Sequence, residues 1–226
     1  MVELKNIIAI DGPAASGKTA VGRLVARKLG INFLDTGIMY RAATLIALGK
    51  RINPNDEIRL VKLVNSLNIE YIFSDQKDRL LVDGNDITDE LNSDEINNNV
   101  SLVSKVAGVR NKLVDTQRTI AYANPIVVVG RDIGTVVIPN APVKIYLTAK
   151  LQVRAKRRYN ELKLRDVQVN KSEEQVLREM AERDAMDSQR VTSPLEPAKD
   201  AILIDSGHLT VRETANKIIL LTRDIF

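Results

Sequence analysis

The sequence predicts an α/β fold: a five-stranded parallel sheet flanked by helices and built around a phosphate-binding loop. Three observations carry that prediction. Five short apolar runs recur along the 226 residues, with helical patterns between most of them. The runs lack clean alternation of apolar and polar residues, as expected of strands covered on both faces. Directly after the first run, the chain reads Gly12-Pro13-Ala14-Ala15-Ser16-Gly17-Lys18-Thr19. That is the phosphate-loop signature, a glycine and any four residues before Gly-Lys-Ser/Thr, in its strand–loop–helix setting.

The strand candidates are Ile7–Ile10, Ile31–Leu34, Ile126–Val129, Val143–Leu147 and Ala201–Ile204. Behind the loop, Val21, Leu24, Val25 and Leu29 form the apolar stripe of a helix that ends at Gly30. Ile38–Gly49 reads as a second helix. Between about Asn68 and Asp89 the rhythm breaks. Ile69, Tyr71 and Phe73 alternate with polar residues, and a turn-rich segment leads to Leu80–Val82 and Asp83-Gly84-Asn85-Asp86. This is the pattern of a small antiparallel meander inserted into the parallel core. From Lys150 to Arg190 the chain is highly charged and reads as helical, with a capping box at Ser172–Gln175 and a mobile crossing expected over Lys163–Lys171. A second box, Thr210–Glu213, opens a last helix expected to bury Val211, Ala215, Ile218 and either Ile219 or Leu220.

Composition narrows the function classes. Cysteine is absent, which excludes disulfides and Cys-ligated metals. No signal peptide or bilayer-spanning apolar stretch is present, so a soluble, cytoplasmic protein is expected. The net charge of +4 suits nucleic acid or small phosphates; aromatic residues make up only 4%, too few for base-stacking platforms, which favours small phosphates.

In a phosphate loop, backbone N–H groups and the following helix N-terminus face an anion. Lys18 would reach the β- and γ-phosphates of a nucleoside triphosphate, and the Thr19 hydroxyl would ligate Mg²⁺. The second strand runs into Asp35-Thr36-Gly37, which brings an acid and a hydroxyl beside that loop. Arg41 lies just inside the next helix, where a cation opposes the dipole and a phosphate ligand would offset the cost; a plain surface arginine fits equally. The third strand ends in Gly130-Arg131-Asp132, at the same sheet edge. Arg131 suits a phosphate because its fork donates two parallel bonds, although a structural Arg–Asp pair gives the same text. Arg183, Asp187 and Arg190 share one helical face by spacing, as a nucleotide clasp or as a solvated ion-pair ladder. Arg154, Arg157, Arg158 and Arg165 fit a lid or a basic surface, and the sole histidine, His208, reads as a loop residue.

Taken together, Ile10–Lys18, Asp35–Arg41, Gly130–Val137, Ala141–Ile145 and Glu182–Asp184 resemble the bacterial cytidylate kinases, from first strand to last helix. The resemblance implies a phosphate-loop kinase with a core at 1–67, 90–153 and 171–226, a CMP-side insert at about 68–89 and a lid at about 154–170. It implies ATP + (d)CMP ⇌ ADP + (d)CDP with Mg²⁺. Carried over by position, Arg41 and Arg131 hold the CMP phosphate near Thr36. Ser101, Arg110, Asp132 and Arg190 read the base. Asp187 and Arg183 meet the ribose side, and Arg154, Arg157 and Arg158 close on ATP. By their own sequence, Ser101 and Arg110 read as the surface of one helix.

The chain departs from the family at one place. Cytidylate kinases usually carry Asp-Gly-Arg-Asp where this chain has Val129-Gly130-Arg131-Asp132. Either Asp132 and Asp11 supply the missing carboxylate near the metal, or turnover is reduced. Rival readings are a kinase with another acceptor, such as UMP, AMP or a small metabolite, an RNA-binding role for residues 150–165, and a regulatory GTPase. The last needs Asn-Lys-x-Asp, and Asn111–Asp115 has one residue too many. Partners are expected to be ATP, CMP and dCMP, with neither nucleic acid nor membrane, and the chain is expected to be a monomer.

Overall fold

A computed structural model describes residues 6–74, 77–165 and 171–223. Strand β1 (Ile7–Asp11) feeds the phosphate loop and helix α1 (Lys18–Leu29), followed by β2 (Asn32–Asp35) and α2 (Gly37–Gly49). Helix α3 (Glu57–Ser66) leads into a three-stranded antiparallel sheet of β3 (Ile69–Ile72), β4 (Arg79–Val82) and β5 (Asn85–Asp86). Helices α4 (Asp94–Ser104) and α5 (Ala107–Tyr122) return the chain to β6 (Ile126–Gly130) and β7 (Val143–Thr148). A helical hairpin, α6 (Leu151–Arg165) and α7 (Glu173–Ser188), precedes β8 (Ile202–Asp205) and α8 (Val211–Leu221). The large sheet has the order β2-β6-β1-β7-β8 with every neighbouring pair parallel. All five strand candidates therefore form, and their carboxyl ends lie along one edge, where ligands of open α/β sheets gather.

Two cores explain why the central strands show no alternation. Ile7, Ala9, Ile126 and Val128 face the core built with α2–α5 and the small sheet. Ile8, Ile10, Val127 and Val129 face the opposite core, built with α1 and α8. Period-two geometry sends successive side chains to opposite faces, and both faces are apolar here. The edge strand β8 differs from expectation: Ile202 and Leu203 are exposed and only Ile204 is buried. Among the described residues β8 is an edge of the sheet, and two of its three apolar side chains stay open to solvent, unlike the covered strand its sequence suggested. The last helix buries Thr214, Ala215 and Ile218, whereas Val211 and Leu220 are exposed and Ile219 is partly buried. Val211 is the first helical residue, set by the Thr210 capping box before the helix reaches the sheet.

The second capping box, Ser172 with Gln175, starts α7 as its sequence indicates. Ala155, Val176 and Met180 form a third cluster that packs on Ala14 and Ala15, so the α6–α7 hairpin rests on the phosphate loop. Of the crossing expected over Lys163–Lys171, residues 163–165 continue α6, and 166–170 lie outside the described residues.

Candidate active site

Backbone geometry shapes the phosphate loop. A Cβ on Gly12 (φ +147°) would lie 2.0 Å from the Leu147 carbonyl oxygen, so only glycine fits beside β7. Ala15 takes a left-handed φ of 54° without being glycine, local strain of the kind found at functional loops. Gly12, Pro13 and Ser16 build the turn; Ala14, Ala15, Gly17, Lys18 and Thr19 line a cavity of about 570 Å³, a volume in the usual range for a bound small molecule. The Lys18 ammonium closes on the loop itself, donating to the Pro13 carbonyl at 2.7 Å and to Ser16 Oγ at 3.4 Å.

The far wall comes from the ends of β2 and β6 and from α2, α4 and α5. Thr36 Oγ1 donates to the Val129 carbonyl at 2.9 Å, which ties the β2 end to β6. Arg41 reaches across to Asn97 Oδ1 at 2.5 Å. In the depth of the cavity Arg110 is ion-paired with Asp132; both are buried, and the Arg110 guanidinium lies 5.2 Å from the Tyr40 ring centroid. On the hairpin side Arg131 Nε donates to Asp187 Oδ2 at 3.0 Å, with Arg190 Nη1 4.0 Å from Asp187 Oδ1. Arg158 and Arg183 complete the lining.

The charges in this cavity are unbalanced. Burial, then the nearby Arg131, pushes the Lys18 ammonium well below its ordinary value. The same two causes bring Arg183 down to about 10. Burial and Arg110 lower Arg190. Burial alone would raise Asp187, but Arg131, Arg190 and Arg183 hold it below the usual carboxylate value. Arg183 Nε and Arg190 Nη2 are buried with no hydrogen-bond partner. Cations crowded to the point of depressing one another define a seat for an anion.

The structure corrects several expectations. Ser101 and Arg110 are not surface residues of one helix: Ser101 lies in α4 and Arg110 in α5, and both are buried. Ser101 is not among the side chains lining the cavity, whereas Ser104 is. Arg190 stands beyond the end of α7, so it meets Asp187 across a turn and not along a helix face. Arg154 is buried and bonded to the Ala149 and Ala14 carbonyls and to Asp184. Arg157 is held by Ser206. Both are pinned behind the loop instead of lining the cavity, which Arg158 alone of the three does.

Asp11 and Asp132 do not stand in for the acid missing at position 129. Asp11 projects toward the α2–α5 face, where its two oxygens accept from the Ile133 and Gly134 amides, each at 2.7 Å. Asp132 is engaged by Arg110. Val129 faces α1, packed so tightly that a Cβ on Gly22 would be 2.7 Å from it. On that same face, in register with Val129, stands Asp35. Its Oδ2 accepts from Thr19 Oγ1 at 2.8 Å and its Oδ1 from the Gly37 amide at 3.0 Å. The acid beside the Thr19 hydroxyl is therefore Asp35.

Sequence reasoning missed Tyr40, Asn97 and Ser104 as lining residues. Asn97, Ser101 and Ser104 recur at helical spacing, a polar stripe on the inner face of α4 that was a usable signal. Tyr40 carried no such signal.

A sheet with a phosphate loop at its central strand end, opening into a cation-lined cavity, defines a phosphate-loop kinase. A shikimate kinase from Bacteroides thetaiotaomicron shares the fold, with a TM-score of 0.51, 12% identity and coverage of 95% of this chain and 97% of that one. The cytidylate kinase family model matches residues 8–224. A cytidylate kinase of Desulforamulus reducens is 49% identical over 212 residues, 94% of each chain. One of Bacillus subtilis is 43% identical over 218 residues, 96% of each chain. The chain belongs to the cytidylate kinase family.

Proposed function

We propose that this protein transfers the γ-phosphoryl group of ATP to CMP and dCMP, acting in pyrimidine nucleotide metabolism as a cytoplasmic monomer. The observation that supports this best is one cavity joining a phosphate loop to a second group of cations and to a buried donor–acceptor pair, Arg110 with Asp132. Lys18 and the loop amides bind the ATP phosphates. Arg41 and Arg131, near Thr36, hold the CMP phosphate against its donor, an orientation effect that requires no protein base. The acceptor oxygen forms its bond to the γ-phosphorus in line as the bond to the ADP oxygen breaks. Lys18, Arg131, Arg158 and Arg183 offset the charge that spreads over the transferring group. Arg154 and Arg157 act from behind the loop, Arg157 on the donor side through Ser206.

Arg110 donates and Asp132 accepts, an arrangement complementary to the edge of cytosine, where an acceptor nitrogen adjoins an amino donor. Uracil presents the opposite order. Arg190 and Ser101 support that pair, and Asp187 with Arg183 meets the ribose. Thr19 Oγ1 and Asp35 Oδ2 put two hard oxygens side by side at the cavity wall, a donor set that fits Mg²⁺. Bound there with ATP, Mg²⁺ would neutralise charge on the β- and γ-phosphates. Closure of the insert, about 68–89, and of a lid formed from about 154–170 would exclude water. Among the described residues, no helix is long and apolar enough to cross a membrane.

The test is coupled ADP release from Mg·ATP with CMP, dCMP, UMP, AMP or no acceptor. Turnover confined to CMP and dCMP is expected. Preference for UMP, AMP or no acceptor would overturn the assignment.

A further inference from the structure

Asp11 is a buried carboxylate that the mechanism above does not use. It ends β1, one residue before the phosphate loop begins. Both of its oxygens are engaged by consecutive backbone amides of the segment after β6, Ile133 and Gly134, more than a hundred residues away in sequence. These amides open a π-helical turn, Ile133–Val137. Immediately ahead of that turn stand Arg131 and Asp132. The other end of the turn is held from α5, where Arg118 donates to the Val136 and Val137 carbonyls at 2.8 and 2.9 Å. The turn thus has two anchors, and the Asp11 side chain ties it to the end of the strand that leads into the phosphate loop.

The arrangement fits an anchor better than a phosphate-side or metal-side acid. Asp11 points to the face of the sheet opposite Thr19 and Asp35, since Ile7 and Ala9 on its side join the α2–α5 core. Each of its two oxygens already accepts one short bond from a backbone amide. Space is closed as well: a Cβ on Gly134 would stand 3.4 Å from Asp11 Oδ2 and 3.2 Å from the Lys144 side chain.

We propose that Asp11 is a positioning residue that fixes the Arg131–Asp132 segment in register with the phosphate loop, so that acceptor and donor are held at a set separation. It acts through the backbone of Ile133 and Gly134 and touches neither substrate. The kinetic part of this proposal rests on the CMP kinase reading; the structural part does not.

The test uses the full chain and Asp11→Asn, which keeps size but can accept from only one of the two amides. Loss of one charge-assisted bond corresponds to about a tenfold effect. The KM for CMP is expected to rise by about tenfold or more, with the Kd for ATP in the absence of acceptor within about twofold of wild type. Hydrogen exchange at the Ile133 and Gly134 amides is expected to accelerate by at least about tenfold, while Val127, Val128 and Val129 keep their protection. Unchanged exchange at the two amides overturns the proposal, as does an unchanged KM for CMP. Equal losses for ATP and CMP also overturn it, because they mark a general structural defect. If Asp11→Asn does not fold, wild-type protein decides: scalar coupling across the hydrogen bonds from the two amide nitrogens to the Asp11 carboxyl carbon is expected, and its absence overturns the proposal. If wild type prefers another acceptor, the CMP reading fails while the exchange and coupling results still stand.

Discussion

Replacing Asp187 with Asn isolates the electrostatics of the cavity, because the change keeps shape and removes one charge. The Asp187 side chain is only 6% exposed, with Arg131 Nε at 3.0 Å and the 4%-exposed Arg190 side chain at 4.0 Å. At an effective dielectric of about 20, attractions over such distances are each about 4–6 kcal/mol before desolvation is subtracted. Removing one partner of a buried pair costs about 3–5 kcal/mol. Arg131 is 21% exposed and opens on the cavity, so the lower end applies, about 3 kcal/mol. For a chain of this length that is a fall in Tm of about 6–12 °C.

The assay is thermal unfolding by circular dichroism in phosphate-free buffer. Its pH dependence follows from the direction of the shift. Asp187 is held below its ordinary value when folded, so its stabilisation is full above the unfolded carboxylate pKa of about 4 and is lost as pH falls through the folded value. The difference between wild type and Asp187→Asn should therefore stay constant from about pH 7 to 5 and close in stronger acid. Inorganic phosphate should narrow it at neutral pH, because an anion beside Arg131 replaces the missing carboxylate. An Asp187→Asn protein that melts within about 2 °C of wild type at pH 7, or a gap that closes between pH 7 and 5, refutes the reasoning.

Lys18→Ala should lower turnover by about a hundredfold or more, the scale of losing one preorganised charge at the transferring phosphoryl, with an unchanged circular dichroism spectrum; retained turnover would remove Lys18 from the chemistry. Asp132→Asn should raise the KM for CMP and shrink the CMP-to-UMP ratio of kcat/KM by about tenfold, and an unchanged ratio would move base recognition elsewhere. Val129→Asp puts a carboxyl at a site 1% exposed. Lost apolar burial and desolvation together cost about 3–5 kcal/mol, so Tm should fall by about 10 °C without a gain in kcat; a higher kcat at unchanged Tm would contradict the assignment of the metal-side acid to Asp35.

Much of this was legible from sequence because local chemistry and fold agree. The phosphate loop, the five strands and both capping boxes are local patterns, and each forms where its text lies. Strand burial at the sheet edge was not legible, since β8 reads like a central strand and strand order is a tertiary outcome. The same limit hid the environments of Arg110 and Asp11. An arginine on a polar helix is buried because Asp132 meets it from another element, and Asp11, an acid before a glycine loop, turns from the Thr19 face to the α2–α5 face because of pleat parity. Spacing placed Arg183, Asp187 and Arg190 on one helix face; the helix ends at Ser188, and the contact survives only through the turn that follows.

Pleat parity also explains how the chain can lack an acid at position 129. Odd-numbered ends of β2 and β6, Asp35 and Val129, point with α1 and Thr19 to one face; Thr36 and Gly130 point with α2 and α5 to the other. Under the proposed function, the first face would serve the donor and metal and the second the acceptor. A change at position 129 therefore alters the donor face and leaves Arg41, Arg110 and Asp132 untouched. On that face Asp35, one strand over and in register, already bonds Thr19. An acid on β2 therefore stands on the face that Val129 occupies, and the close packing of Gly22 on Val129 holds α1 against that face. Asp11 and the turn it holds lie at the strand ends between these groups, so under the proposed function the separation of donor from acceptor should be most sensitive there.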